Sequence, residues 1–520
     1  MISLKYLLWI FTLVCLILDN VRGFRILVLC PHISRSHFTI FEAIAKGLTD
    51  HGHIVDVLSH FPQSNKVLNY NDISVAGSMK LQTNDLLITD INFHNPVSDF
   101  FFIHQMGEDT CESVMSTNAA LNLLHSNKKY DLIITEVFNT DCFLGFVHKF
   151  RAPFIAVSAA HIIPMAAERF GIPDNPSYIP NAFLSFDAEM NFVERLLNTV
   201  TTLSLNLLRK YYYDPKHHKV ATRYFGDDLP PFDVLARNTS LVLVNSHFSF
   251  MGTSRPYPNN VIEVAGLHVK SSQPLPTDIR KFLDESKNGV IYFSMGSIIQ
   301  GKSFPAEKRK AFLRAFEQVP QRVIWKWEGE NMSGKIDKIL LKSWAPQRDI
   351  LDHPNVRVFI SHGGFLGTTE ALYSGVPIIG IPMFGDQKIN IRQVEKGGYG
   401  VTLPYDQITE ETVLAALNTV LKDKSFKKRA EKVARLFQDR PMPPLDTAIY
   451  WIEHVIRHGG GAHLKPASLD LYWWQYILLD VIFTLILIPI LMFWALKYLI
   501  RHMANTYYRS TSDGDDKKRN

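Results

Sequence analysis

Apolar residues along the chain cluster in short runs separated by stretches of helical spacing. Arg25 to Leu29, Ile54 to Leu58, Leu132 to Thr135, Phe154 to Ser158 and Leu241 to Asn245 are short enough, and rich enough in β-branched residues, to predict buried strands. Strands that alternate with helices build parallel βαβ units. The alternation restarts after a polar, proline-bearing stretch, Lys270-Ser-Ser-Gln-Pro-Leu-Pro, with Val290 to Phe293, Arg322 to Trp325, Val356 to Ile360 and Ile378 to Ile381. The expectation is an α/β protein of two halves, 24–268 and 285–460, joined by a linker at 269–284. A chain of 520 residues is too long for one ordinary core, which agrees. One further helical pattern, Asn191 to Tyr213, is apolar enough to pack in the core, and that is the expectation; lining an acceptor pocket or lying against a membrane are the alternatives.

The two ends have a different character. Residues 1–23 combine a lysine, an apolar stretch from Leu7 to Leu18 and a small residue, Gly23, the pattern of a cleavable secretory signal. After a juxtamembrane segment, 461–472, residues 473–499 form a nearly continuous apolar run, fronted by Trp473 and Trp474 and followed by Lys497, Arg501 and His502. Its length suits a bilayer, with aromatic residues at one interface and positive charges at the other. A single-pass type I protein is expected, with its body in the lumen and a cytosolic tail at 500–520. Asp480 is the discordant carboxylate, expected to be wet or paired near the luminal edge. Asn238-Thr-Ser and Asn331-Met-Ser are acceptor sequons that a luminal body would expose to glycosylation. Once the signal is removed, Cys30, Cys111 and Cys142 remain, an odd number that predicts no disulfide framework. A net charge of +5 without a basic cluster in the body sets nucleic acid aside.

Candidate chemistry concentrates between Trp344 and Gln387. The strand Val356 to Ile360 breaks at Ser361-His362-Gly363-Gly364, and a helical pattern resumes from about Gly367 to Tyr373. A strand that turns through glycines into a helix gathers backbone N–H groups and the positive end of a helix dipole, which suits a pyrophosphate. His362 adds a donor, Glu370 is placed to accept from ribose hydroxyls, and Trp344 offers a flat face to a base. A glycine pair taken alone more often marks only a tight turn.

The whole block, WAPQ, HGG, Glu370, GVP, the IP pair and a final Asp-Gln, resembles the donor-binding signature of the family 1 UDP-glycosyltransferases, which include the animal UDP-glucuronosyl and insect UDP-glucosyl enzymes. The resemblance runs over nearly the full chain. It implies the GT-B fold, two Rossmann-like domains facing a cleft, with UDP-sugar on the second half and acceptor mainly on the first. It also implies that Trp344 stacks on uracil, that Gln347 meets the uracil or ribose, and that His362, Gly363, Gly364, Thr368 and Thr369 hold the phosphates. Glu370 would take the ribose, and Asp386 and Gln387 the sugar hydroxyls. Many members carry Asn where this chain has Leu366; Ser297, which ends the strand from Val290, is the candidate to supply the missing polar contact.

Transfer to a hydroxyl needs a base. His37, delivered by the loop Pro31 to Ser36 after the first strand and just before a helix starting near Phe38, has the required place, and Ser36-His37 matches the family's catalytic Ser-His. A carboxylate should hold the imidazole, as in a His-Asp dyad. Glu136 and Asp141 both qualify; Asp141 is favoured because a short carboxylate would cap the Cys142 to Phe150 helix. The luminal body has no Asp-x-Asp pair, so a metal-independent, inverting displacement is expected, with no permanently bound cofactor. The expected substrates are a UDP-sugar and small lipophilic hydroxyl compounds. The segment EVFNTDCFLGF resembles insect members and favours UDP-glucose over UDP-glucuronate. A transferase making glycosylceramides and a degenerate binding protein are the rivals. Lys517 and Lys518 resemble a dilysine retrieval signal read by coat-type machinery, which implies the endoplasmic reticulum membrane. A homo-oligomer is left open.

Overall fold

The computed structural model describes residues 23–88, 96–251, 254–329, 332, 334 and 336–516. The signal through residue 22, the Asn331 sequon and the Lys517–Lys518 pair lie outside the described residues.

The compact unit, which ends at Lys465, contains two parallel sheets. The first is ordered β3-β2-β1-β4-β5-β6-β7, from β1 (Arg25–Cys30), β2 (Ile54–Ser59), β3 (Tyr70–Ser74), β4 (Leu132–Glu136), β5 (Phe154–Ser158), β6 (Leu241–Val244) and β7 (Val261–Glu263). The second is ordered β10-β9-β8-β11-β12-β13, from β8 (Val290–Ser294), β9 (Arg322–Lys326), β10 (Ile339–Lys342), β11 (Val356–Ser361), β12 (Ile378–Gly380) and β13 (Gly400–Thr402). Central strands such as β4 and β8 are buried at every residue, as parallel strands covered on both faces must be. β1 lies between β2 and β4, with Leu29 opposite Thr135, and β8 lies beside β11, with Ser294 opposite Ser361. In each sheet, therefore, two neighbouring strands end together, and the loops leaving them meet at one crevice. Ligands bind at such strand ends in open α/β sheets.

Several expected boundaries are corrected. Thr277–Asp284, assigned to the linker, is a helix that buries Ile279, Phe282 and Leu283 in the second half's core. The helix Pro444–Arg457, assigned to the second half, packs Ala448, Ile449, Ile452 and Val455 into the core of the first. Glu453 on that helix accepts from His51 and His53, each at 3.2 Å. Cys111 and Cys142 form a disulfide with Cα atoms 5.9 Å apart, and Cys30 stays free and buried, so the odd cysteine count concealed one bridge.

The helix Phe192–Leu208 reverses the packing expectation. Leu196, Leu197, Leu203 and Leu207 face outward, while Asn198, Thr202 and Leu205 are buried.

The second unit begins at Pro466. A short helix, Trp473–Tyr476, precedes the long helix Leu479–Asp516, in which Leu479–Tyr507 is long and apolar enough to cross a membrane. Asp480 lies in the first turn of that helix, where its carboxylate accepts the Val481 N–H. Asn238 is exposed, as an acceptor sequon requires.

Candidate active site

His37 sits in the first turn of the helix Arg35–Asp50, which starts earlier than expected because Ser34 takes the cap position. Since β1 and β4 end side by side, the turn after β1 brings His37 against the last residue of β4. His37 Nδ1 lies 2.5 Å from Glu136 Oε1, and the carboxylate is almost completely enclosed. The preference for Asp141 is therefore corrected. Asp141 forms an ion pair with Arg169, both largely buried, and the cap of the helix Leu144–Phe150 is Phe143. With Nδ1 turned to Glu136, Nε2 is the ring nitrogen left for a substrate.

Two neighbours of His37 were not singled out by sequence. His32 stacks on it at 4.0 Å between ring centroids, and Phe138 tilts against it at 4.7 Å. Burial, reinforced by the nearby His37, holds the His32 pKa well below the usual histidine range, so this ring stays neutral. Its Nδ1 accepts the Ser34 N–H at 3.0 Å, which fixes the loop that carries His37.

On the second half, β11 enters the turn His362-Gly363-Gly364 and then the helix Phe365–Tyr373. The glycines have a steric reason: a Cβ on Gly296 or Gly364 would run into the His362 ring, and Gly363 has φ 83° with Ile391 against its open side. Burial, followed by the charge of Lys326, lowers the His362 pKa to about 4, which makes it a neutral hydrogen-bonding group. No side chain caps Gly364, so the first N–H groups of this helix carry its positive end. Thr368 and Thr369 differ from expectation. Both are fully buried, and their hydroxyls donate to the carbonyls of Gly364 and Phe365, so the phosphate-facing element is backbone rather than these side chains. Leu366 packs against apolar residues of both halves, which is how the departure from Asn is accommodated.

The remaining donor candidates surround that turn. Trp344 is 62% exposed, with Lys326 Nζ 5.9 Å from its ring. Gln347 opens the helix Gln347–Leu351 and donates to Glu370 at 2.6 Å. Burial raises the Glu370 pKa to about 7, although Gln347 and Arg348 pull it down. Ser297 lies in the turn after β8, where its carbonyl accepts the Asn84 N–H. Asp386 precedes the helix Gln387–Lys396, and the Gln387 side-chain oxygen accepts the N–H groups of Met383 and Phe384. Burial raises the Asp386 pKa, whereas its hydrogen bond with Asn390 lowers it. Asn390 is a third residue that the sequence reading omits. It donates to Gly363 O at 3.0 Å and Asp386 Oδ2 at 2.8 Å, while its own oxygen meets His161 Nε2 of the first half at 3.1 Å. Its place one turn after Asp386 was the available signal.

Residues 29–511 match the family described as UDP-glucoronosyl and UDP-glucosyl transferase. The chain is 42% identical to the UDP-glycosyltransferase UGT5 of Dactylopius coccus, over 94% of this chain and 95% of that one. It is 40% identical to UDP-glucosyltransferase 2 of the same organism, over 99% and 100%. Identity to UDP-glucuronosyltransferase 2C1 of Oryctolagus cuniculus is 30%, over 93% and 99%. Among solved structures, the calicheamicin glycosyltransferase CalG4 shares the fold with a TM-score of 0.56 at 16% identity, over 84% of this chain and 99% of that one. UDP-glucose: anthocyanidin 3-O-glucosyltransferase does so with a TM-score of 0.55 at 16% identity, over the same shares. These are GT-B glycosyltransferases, and the two parallel sheets are their architecture. Because the similarity runs through both sheets and into the C-terminal apolar helix rather than resting on one motif, the chain belongs to the UDP-glucuronosyl and UDP-glucosyl transferase family, as a UDP-sugar-dependent hexosyltransferase.

Proposed function

We propose that the protein transfers glucose from UDP-glucose to a hydroxyl of small lipophilic acceptors, with inversion and without a metal. His37 Nε2 takes the acceptor proton as the acceptor oxygen bonds to the anomeric carbon. The bond from that carbon to the diphosphate breaks, and UDP leaves with the electron pair. Glu136 holds the Nδ1–H and stabilises the imidazolium that forms. The N–H groups at the start of the Phe365–Tyr373 helix stabilise the charge gathering on the diphosphate. Trp344 and Gln347 hold the base, Glu370 the ribose, and Asp386 and Gln387 the sugar. The observation that carries this reading is the enclosed His37–Glu136 pair, which leaves Nε2 as the free ring nitrogen. Higher identity to a relative named as a glucosyltransferase than to one named as a glucuronosyltransferase supports glucose as the donor.

The deciding measurement is UDP release from UDP-glucose and, separately, from UDP-glucuronate, in membranes expressing the chain or His37→Ala, against a panel of phenols and sterols. Acceptor-dependent release that disappears in the variant is the expected result. UDP binding with no release from either donor would sink the transfer reaction and leave a binding protein.

We further propose a luminal body in the endoplasmic reticulum, retrieved through Lys517 and Lys518. The Cys111–Cys142 bridge supports an oxidising compartment. Removal of glycans from Asn238 by an endoglycosidase specific for immature chains is the expected signature. Replacing both lysines by alanine is expected to release the protein to later compartments.

A further inference from the structure

Three histidines meet where the helix Pro444–Arg457 ends. His454 and His458 are one turn apart, and His458 caps the helix with its N–H on the His454 carbonyl at 3.1 Å. Gly459 and Gly460 then take φ of 64° and 121°, which turns the chain back and returns His463 to the side of His454. The Nε2 atoms of His454 and His463 lie 3.0 Å apart. Ring centroids are separated by 4.4 Å for His454 and His458, 5.2 Å for His454 and His463, and 5.7 Å for His458 and His463.

Spacing and protonation mark these rings as a ligand set. Imidazoles bound through nitrogen to one tetrahedral ion, at about 2.0–2.1 Å, stand with centroids about 5 Å apart and nitrogens about 3.3 Å apart, close to what the three rings already show. Slight burial, followed by the nearness of His458, His463 and Arg457, lowers the His454 pKa, so at neutral pH its ring is uncharged and offers a lone pair. A single proton fills the gap between His454 and His463, and an ion can take the place of that proton. Among the described residues no three ligand atoms already surround one centre. The third nitrogen comes from His458, whose exposed ring turns without disturbing the core.

The cluster is remote from the catalytic pair. Glu453, its neighbour on the helix, meets His51 and His53 just before β2, and Gly461 lies so close to Ser240, just before β6, that a Cβ would strike the Ser240 carbonyl. That is the edge of the first sheet where strands begin, whereas His37 sits where they end. Imidazole ligands select zinc, nickel and copper over magnesium and calcium.

We propose that His454, His458 and His463 bind one divalent transition-metal ion of the zinc class, with solvent as the remaining ligand. The ion clamps residues 459–465 to the helix, in the last segment before the second unit begins at Pro466. It takes no part in sugar transfer.

The test uses the full chain in detergent micelles, purified without a polyhistidine tag and stripped with chelator. Zinc alone is the probe in calorimetric titration, and cobalt(II) reports geometry through its absorption spectrum. One zinc per chain, the spectrum of tetrahedral cobalt and no binding of magnesium or calcium are expected. His454→Gln, His458→Gln and His463→Gln should each weaken zinc binding about a hundredfold, with UDP binding unchanged as the check on folding. His51→Gln, in the neighbouring histidine pair, should bind zinc as the native chain does. Absence of saturable zinc binding would overturn the proposal, as would native affinity in all three variants. Loss of binding in His51→Gln alone would assign the metal to the Glu453 group instead. Zinc is also expected to slow hydrogen exchange several-fold across residues 459–465, and exchange unchanged by zinc would overturn the clamp. None of these readouts depends on turnover, so a failed transferase assay leaves this inference standing.

Discussion

At His37 the geometry chooses Glu136 over Asp141, the carboxylate that the sequence favours. Glu136→Gln keeps the shape but removes the charge that stabilises the imidazolium; kcat is expected to fall about 10²- to 10⁴-fold with KM for UDP-sugar little changed. Asp141→Asn should leave kcat within a few fold. It breaks a largely buried pair with Arg169 and is expected to cost about 3–5 kcal/mol in urea unfolding. If Asp141→Asn instead lost activity with stability unchanged, the dyad would have to be reassigned. Glu370 supplies a pH dependence. Its folded pKa, raised by burial to about 7, exceeds the ordinary value of 4.5. The contribution of Glu370 to the stability of the ligand-free protein is therefore fully present below about pH 4.5 and is lost as pH rises through 7. Ribose hydroxyls donate to the carboxylate, so UDP affinity should move the other way, strengthening by up to about tenfold per pH unit as pH approaches 7 and levelling off above it. Calorimetric titration from pH 5.5 to 8.5 checks this, and Glu370→Gln should give a flat profile.

Among the elements, the glycine turn after β11 is the least replaceable. Gly363→Ala places a side chain at φ 83° and against Ile391, and is expected to cost more than about 2 kcal/mol and to abolish UDP binding. The same turn was legible in the sequence, as were nine strands whose apolar runs are buried on both faces. The four strands that escaped, β3, β7, β10 and β13, are the edges of the two sheets. Edge strands are short and half solvated, so Tyr70–Ser74 reads as polar and Gly400–Thr402 as a turn. Helical spacing showed that Phe192–Leu208 is one-sided but not which side faces inward, because that depends on the carbonyls of Pro176 and Ile179 that Asn198 meets. The partner of Asp141 lies 28 residues further on, at Arg169, beyond any local pattern. Asn390 was hidden for a similar reason: its worth lies in joining Asp386, one turn before it, to Gly363 and His161, which are distant in sequence.

On the scale of the whole molecule, the Cys111–Cys142 bridge closes a sequence separation of 31 residues between the helix Pro96–Met115 and the loop after β4. Cys142→Ser is expected to lower stability by about 2–4 kcal/mol, read as an earlier thermal transition that added reductant no longer shifts. The return of Pro444–Arg457 to the first half has a mechanical meaning. The polypeptide passes between the halves near 269–276 and again near 439–443, because the helix Lys424–Gln438 still anchors Phe437 in the second core, and the first half also sends residues 84–88 into the second, where Leu86 pairs with Ile299 and Ile88 joins that half's core. The halves are thus tied at three separate places, as struts brace a frame.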